Sequence, residues 1–265
     1  MEVHDAHCHY QFAEVPYAAV ALARSEGVGY AVVNGSSPAD WAAVAALAAR
    51  DPRNLPAFGL HPWDVPTAPA GWLDELRRVL VAHPAAGVGE MGLDRWVEGF
   101  DPLAQEAAFR AQLALAVELD RPLTIHCVRA IGPLMELVRT LPLPRRGFLL
   151  HSWNGPVELI PELARLGAYF SFSAHHLPER KAHLRDQFAA AIPADRVLVE
   201  TDAPALCPAP EYRRHELPPS AEGVEQNHPA NLLRNLEELA LTRRLAVEET
   251  AALTNANFAR LFLGS

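Results

Sequence analysis

Short runs rich in apolar and β-branched residues alternate with longer amphipathic segments from one end of the chain to the other. The short runs lie at residues 3–6, 30–34, 55–59, 87–90, 123–126, 148–151, 168–172 and 197–201, are bounded by turn-forming residues, and predict eight strands. Helix-period segments at 15–27, 38–50, 71–83, 102–120, 131–141, 157–167, 178–192 and, after a long loop, 229–243 predict the connecting helices, with a last helix over 247–263. Several open on a proline, whose missing N–H is harmless in the first turn, and two stop at Gly27 and Gly167. Eight βα repeats in 265 residues predict one domain, residues 1–265, of class α/β, built as a single (β/α)₈ TIM barrel with an additional C-terminal helix. No GxGxxG follows the first strand, which weakens an open dinucleotide-binding sheet.

One stretch breaks the alternation. Residues 203–228 separate the eighth strand from its helix, contain five prolines and show no helical period. A barrel places such a loop at the C-terminal rim, where active sites are built, so it is expected to act as a lid or binding loop.

Composition narrows the classes. With 50% apolar and 21% charged residues the chain is globular rather than disordered. A net charge of −9 excludes a global positive field that would coat nucleic acid regardless of sequence. The longest unbroken apolar run, residues 41–49, is nine residues long, where a membrane span needs roughly 20. The opening MEVHDAHCHY lacks the order of a secretion signal, and Cys8, Cys127 and Cys207 are too scattered for a disulfide framework. A reduced, cytoplasmic protein is expected, without a membrane or an obligate protein partner.

The 12 histidines carry the chemistry. His7 and His9 are two apart, so an extended chain puts both imidazoles, with Asp5, on one face. Glu90, His126, His151 and Asp202 end the fourth, fifth, sixth and eighth strands, and a barrel converges all of them on one mouth. Four imidazoles and two carboxylates suit divalent ions, are too many for one tetrahedral ion with an open position, and fit two metals sharing a carboxylate. Zn, Mn, Mg and Ni remain open as identities. A bound ion lowers the pKa of its water toward about 7 and supplies a nucleophile at neutral pH. Asp202 either ligates only or also orients and deprotonates that water.

The series HCH, GLHPW, GEMGLD, IHC, HSW and ETDAP, followed by NHPANL and a terminal NFARLF, resembles the TatD-type metal-dependent deoxyribonucleases over nearly the whole chain. The resemblance implies a barrel of the amidohydrolase superfamily, a two-metal site and DNA hydrolysis. It implies further that His7, His9, Glu90 and Asp202 hold one metal and that Glu90, His126 and His151 hold the other, with Glu90 bridging and acting with Asp202 in catalysis. Many members of that superfamily bridge their metals with a carbamylated lysine on strand 4, but the only lysine is Lys181, after strand 7.

Around this centre, His61 is expected to touch substrate or support the ligands. Trp63 and Trp153 are expected to stack on a base or pack under loops, with Trp153 taken as a substrate contact. Of His175 and His176, adjacent in sequence, at most one faces the metals. Arg95, Arg129, Arg213 and Arg214 are candidate phosphate contacts, while Cys8 and Cys127 alternate away from the mouth as packing residues. Two features depart from the family pattern: Val128 stands where an arginine is usual, with Arg129 one place on, and the 203–228 loop carries Glu211, Glu216, Glu222 and Glu225. Both departures weaken the case for a polyanion; DNA ends or oligonucleotides remain the expected partner, with a small-molecule ester, amide or lactone behind an acidic lid as the alternative. A barrel whose metals only stabilise the fold is the third reading.

Overall fold

The computed structural model describes residues 1–264. Its strands are β1 (Val3–Cys8), β2 (Val28–Asn34), β3 (Asn54–Phe58), β4 (Gly87–Asp94), β5 (Leu123–Val128), β6 (Phe148–Leu150), β7 (Ala168–Phe172) and β8 (Val197–Val199). They pair in chain order, every neighbour parallel. The ring closes just past β8, where the Asp202 N–H donates to the His7 carbonyl at 2.9 Å and the His9 N–H to the Ala203 carbonyl at 2.7 Å. Asp5 strengthens this seam by accepting from the Thr201 N–H at 2.9 Å and from its hydroxyl at 2.6 Å.

All eight strands lie where the hydrophobic pattern puts them, but their ends differ. β4 and β5 run on to Asp94 and Val128, whereas β6 and β8 stop before His151 and Asp202. The latter two leave the ladder because the chain turns through the left-handed region at Ser152 (φ 45°) and Asp202 (φ 57°). β1 is irregular, with register shifts on either side of Asp5. Asp5 therefore faces the β1–β8 seam instead of joining the histidines as expected.

The helices are α1 (Tyr17–Glu26), α2 (Trp41–Arg50), α3 (Trp72–Ala82), α4 (Pro102–Leu119), α5 (Ile131–Thr140), α6 (Ile160–Arg165), α7 (Ala182–Asp186), α8 (Leu232–Arg243) and α9 (Val247–Phe258). α6 and α7 are shorter than their hydrophobic period suggests, and α7 passes into a wider turn over Gln187–Ala191. Fully buried Val, Leu, Ile and Phe side chains fill the space between barrel and helices. A second cluster joins Ala6, Val32, Leu149 and Leu198 to Phe258 and Phe262. α9 thereby closes the barrel at the start of the strands, and Asn257 fixes it by donating to the Val197 carbonyl at 2.8 Å. The opposite mouth is left open for chemistry.

Candidate metal centre

β1 delivers His7 to the mouth, and His9 follows directly. Cys8 points away, its thiol 3.3 Å from the Val32 carbonyl. The His7 and His9 Nε2 atoms are 3.1 Å apart and each lies 3.4 Å from Asp202 Oδ1. Glu90 Oε2 is 3.5 Å from His7 Nε2 and 3.2 Å from His9 Nε2. Its other oxygen, Oε1, lies 3.0 Å from both His126 Nδ1 and His151 Nε2, which are themselves 3.2 Å apart. One carboxylate thus turns its two oxygens to two different histidine pairs. β4 can bring Glu90 so close to β5 because Gly92 lies against the His126 carbonyl, with no room for a Cβ.

Hydrogen bonds on the far side of the His9 and His126 rings fix which nitrogen faces inward. His9 Nδ1 sits 2.8 Å from the Asn34 carbonyl, which only accepts, so Nδ1 carries the proton and Nε2 presents a lone pair to the centre. His126 Nε2 sits 2.9 Å from Asp94 Oδ2, so Nδ1 presents the lone pair. Lone pairs and carboxylates that converge at about 3 Å repel unless a cation or protons lie among them, and this is the donor chemistry of a divalent cation. Electrostatics make the same demand. Burial opposes charge on His9, but Asp202 and Glu90 outweigh it and lift the imidazole to about 10. His151 is likewise held well above its ordinary value against burial, mainly by Glu90. Burial pushes the Glu90 carboxyl up, yet His61, His151 and His7 together bring it well below the carboxylate range.

Two acids missed by the strand-end argument lie behind the rings, and one of them, Asp94, is hydrogen-bonded to its histidine. Asp94 is buried and holds His126. Glu200, fully buried, accepts from the Ser152 N–H at 2.9 Å and lies 3.6 Å from His151 Nδ1. Carboxylates behind metal-binding histidines fix the ring and raise its basicity. The signal for both was available: Asp94 is four residues beyond Glu90 and Glu200 two before Asp202, the same alternation that singled out His7 and His9.

The remaining expectations divide. His61 reaches the mouth, its Nε2 3.6 Å from Glu90 Oε1. Its Nδ1 accepts the Trp63 N–H at 3.2 Å, which leaves Nε2 as an inward-facing donor. Burial depresses its pKa to about 3, so that donor is neutral. Trp153, taken as a substrate contact, is instead 3% exposed; its indole N–H donates to Gln187 Oε1 at 3.0 Å and its ring packs on Phe170, so it offers no face to a base. His176 is buried against the Trp153 carbonyl at 2.8 Å, and His175 faces Lys181. Neither joins the donor groups around Glu90 and Asp202. In the 203–228 loop, Arg213 is paired with Glu225 and Arg214 with Glu237. Arg129 is exposed, its guanidinium 3.9 Å from the centroid of the Trp96 ring, a tryptophan the sequence reading passed over.

Fold and donor set together define a metal-dependent hydrolase on a (β/α)₈ barrel. The chain belongs to the family of TatD related DNases, whose profile matches residues 4–263. It is 31% identical over 252 residues to the 3'-5' ssDNA/RNA exonuclease TatD of Enterobacter lignolyticus (strain SCF1), spanning 95% of this chain and 94% of that one. It is 32% identical over 190 residues, 72% of this chain and 67% of the relative, to the uncharacterized metal-dependent hydrolase YcfH of Escherichia coli (strain K12). The crystal structure of YJJV, a TatD homolog from Escherichia coli K12, matches with a TM-score of 0.89 at 27% identity and 98% coverage of both chains. No helix among the described residues is long and apolar enough to cross a membrane.

Proposed function

We propose that this chain hydrolyses phosphodiester bonds at the ends of single-stranded DNA or of short oligonucleotides, using two divalent cations per subunit. The observation that carries the reading is the division of Glu90, with Oε2 toward His7 and His9 and Oε1 toward His126 and His151. His7, His9, Glu90 and Asp202 would hold one cation, and Glu90, His126 and His151 the other. Bound there, the cations supply Lewis-acid neutralisation of phosphoryl charge and acidify water toward neutrality. Asp202 turns Oδ1 to both histidines, which leaves Oδ2 to orient the attacking water and take its proton. His61 Nε2–H, neutral and inward-facing, donates to a non-bridging phosphate oxygen. The similarity to a named ssDNA/RNA exonuclease over nearly the full length supports this substrate class.

A second reading, a small-molecule metallohydrolase, is favoured by one feature. A rim cavity of about 780 Å³ lies beside the loop after β8, lined by Phe12, Glu14, Pro204, Cys207 and Glu225 among others. Glu14, its one carboxylate left unpaired among the described residues, and its apolar lining do not suit a polyanion, and its size suits a small ligand. Single-stranded DNA and RNA oligonucleotides, bis-p-nitrophenyl phosphate and lactones, each assayed with Mg²⁺, Mn²⁺, Zn²⁺ and Ni²⁺, separate the two. Oligonucleotide turnover that stops with chelator and in Glu90→Gln is expected. Turnover of lactones alone establishes the second reading, and full activity in chelator defeats both.

A further inference from the structure

Two tryptophans are exposed at the rim on the His126 side, Trp63 at 58% and Trp96 at 62%. Both are tied to the same buried carboxylate. The Trp63 indole N–H donates to Asp94 Oδ2 at 2.8 Å, the oxygen that also holds His126, and Asp94 Oδ1 accepts the Trp96 backbone N–H at 2.6 Å. Asp94 thus joins a metal-centre histidine and both rim tryptophans into one rigid unit.

Charge marks the same place. Of the four arginines expected to meet phosphate, Arg213 and Arg214 are spent on Glu225 and Glu237. Arg95 and Arg129 are exposed and make no ion pair among the described residues. Their loops run side by side, the Arg95 N–H donating to the Val128 carbonyl at 3.0 Å. The Arg129 guanidinium carbon lies 3.9 Å from the Trp96 ring centroid, within cation–π range, and its N–H groups make no hydrogen bond among the described residues. In a chain of net charge −9, two uncompensated cations beside two open indole rings call for an occupant both anionic and aromatic.

We propose that Trp63, Trp96, Arg95 and Arg129 form a ledge that stacks the unpaired bases next to the scissile phosphate and grips their phosphates, and that Asp94 sets its distance from the metal centre. This rests on the phosphodiesterase reading and adds to it the residues that select for bases. Stacking on indole tolerates any base, so the ledge selects for an unpaired nucleotide without selecting its sequence.

The test compares oligonucleotides carrying normal bases with the same chains made abasic at the two terminal positions. Wild-type protein is expected to favour the base-bearing chain in kcat/KM. Trp96→Ala should cut that preference about tenfold, in line with the cost of losing one stacked base. Arg129→Gln should flatten the salt dependence of binding by about one phosphate contact. Independently of turnover, tryptophan fluorescence of metal-free wild-type protein in chelator should be quenched by a short oligothymidylate, and less so in Trp96→Ala. An unchanged base preference with unchanged quenching overturns the ledge. So does a change of oligomeric state in Trp96→Ala without any base-dependent effect, which would make this face a contact between copies. If wild-type protein cleaves no phosphodiester, the functional reading falls, while the fluorescence titration still decides the ledge.

Discussion

Asp94 accepts three hydrogen bonds on two oxygens, from the His126 imidazole, the Trp63 indole and the Trp96 backbone. Burial raises its carboxyl, but His126, Trp96 and Trp63 more than reverse this and hold it below the usual carboxylate value. Asp94→Asn keeps the volume but replaces one of two acceptor oxygens with a donor and removes the charge, so an amide N–H faces either His126 and the Trp63 indole or the Trp96 N–H, and the hold on the His126 tautomer weakens. Such partners typically carry a factor of 10–100 in metal affinity. A loss of about that size is expected in competition with a chromogenic chelator, and wild-type affinity in Asp94→Asn would remove Asp94 from the metal site. The convergence of the proposed ligands was legible in sequence because each sits at the end of a β-type run, where a barrel brings strand ends together. Asp94 keeps the alternation set by Glu90 but lies beyond the predicted end of strand 4, which pairs with β5 for four residues past Glu90. Trp153 misled for a related reason: the left-handed turn at Ser152 swings the chain so that the ring goes under the rim to Gln187, and no side-chain pattern encodes that turn.

The loop between β8 and α8 shows what an element without regular structure relies on. Asn231 Oδ1 accepts the Arg214 and His215 N–H groups at 2.8 and 3.1 Å, and its Nδ2 donates to the His215 carbonyl at 3.1 Å and to Asn227 Oδ1 at 3.0 Å. Asn227 in turn donates to the Thr201 carbonyl at 2.9 Å. One buried amide therefore pins both legs of the loop to the end of β8. Asn231→Ala leaves these groups unpaired at about 1–3 kcal/mol for each one that stays buried. Faster hydrogen exchange confined to residues 204–227 is the expected result; unaltered exchange there would show that the prolines alone hold the loop.

The same element carries a pH response. His228 Nδ1 accepts the Ala230 N–H at 3.0 Å, and burial, followed by the nearby His215, lowers its pKa from 6.5 to about 4. The unfolded chain takes a proton near 6.5 and the folded loop only near 4, so its contribution is complete above 6.5 and is lost as the pH falls toward 4. His228→Asn keeps an acceptor for Ala230 but does not titrate. Its thermal midpoint should fall less than that of the wild type between those two pH values, and parallel curves would refute the assignment.

At the scale of the whole molecule, eight short and long segments in alternation close into a ring in which every strand has two neighbours and none is left at an edge, and α9 then seals the end the chemistry does not use. Closure also explains why cation binding and folding are linked. The proposed donors come from residues 7 to 202, on five strands or the turns just after them, and meet only when β8 has returned to β1. A divalent cation therefore binds the folded chain and has no comparable site in the unfolded one. Such a ligand stabilises by about 2.7 kcal/mol at a hundred times its Kd. For a chain of this length each kcal/mol moves Tm by roughly 2–4 °C, so chelation should lower Tm on the order of 5–10 °C. Glu90→Gln, which weakens the carboxylate shared by both histidine pairs, should leave Tm nearly indifferent to chelator. Scanning calorimetry with and without chelator on both proteins reads this directly. An equal response of the two would mean that the stabilising cation binds elsewhere, and no response in the wild type would mean that the histidines and carboxylates balance one another through protons alone.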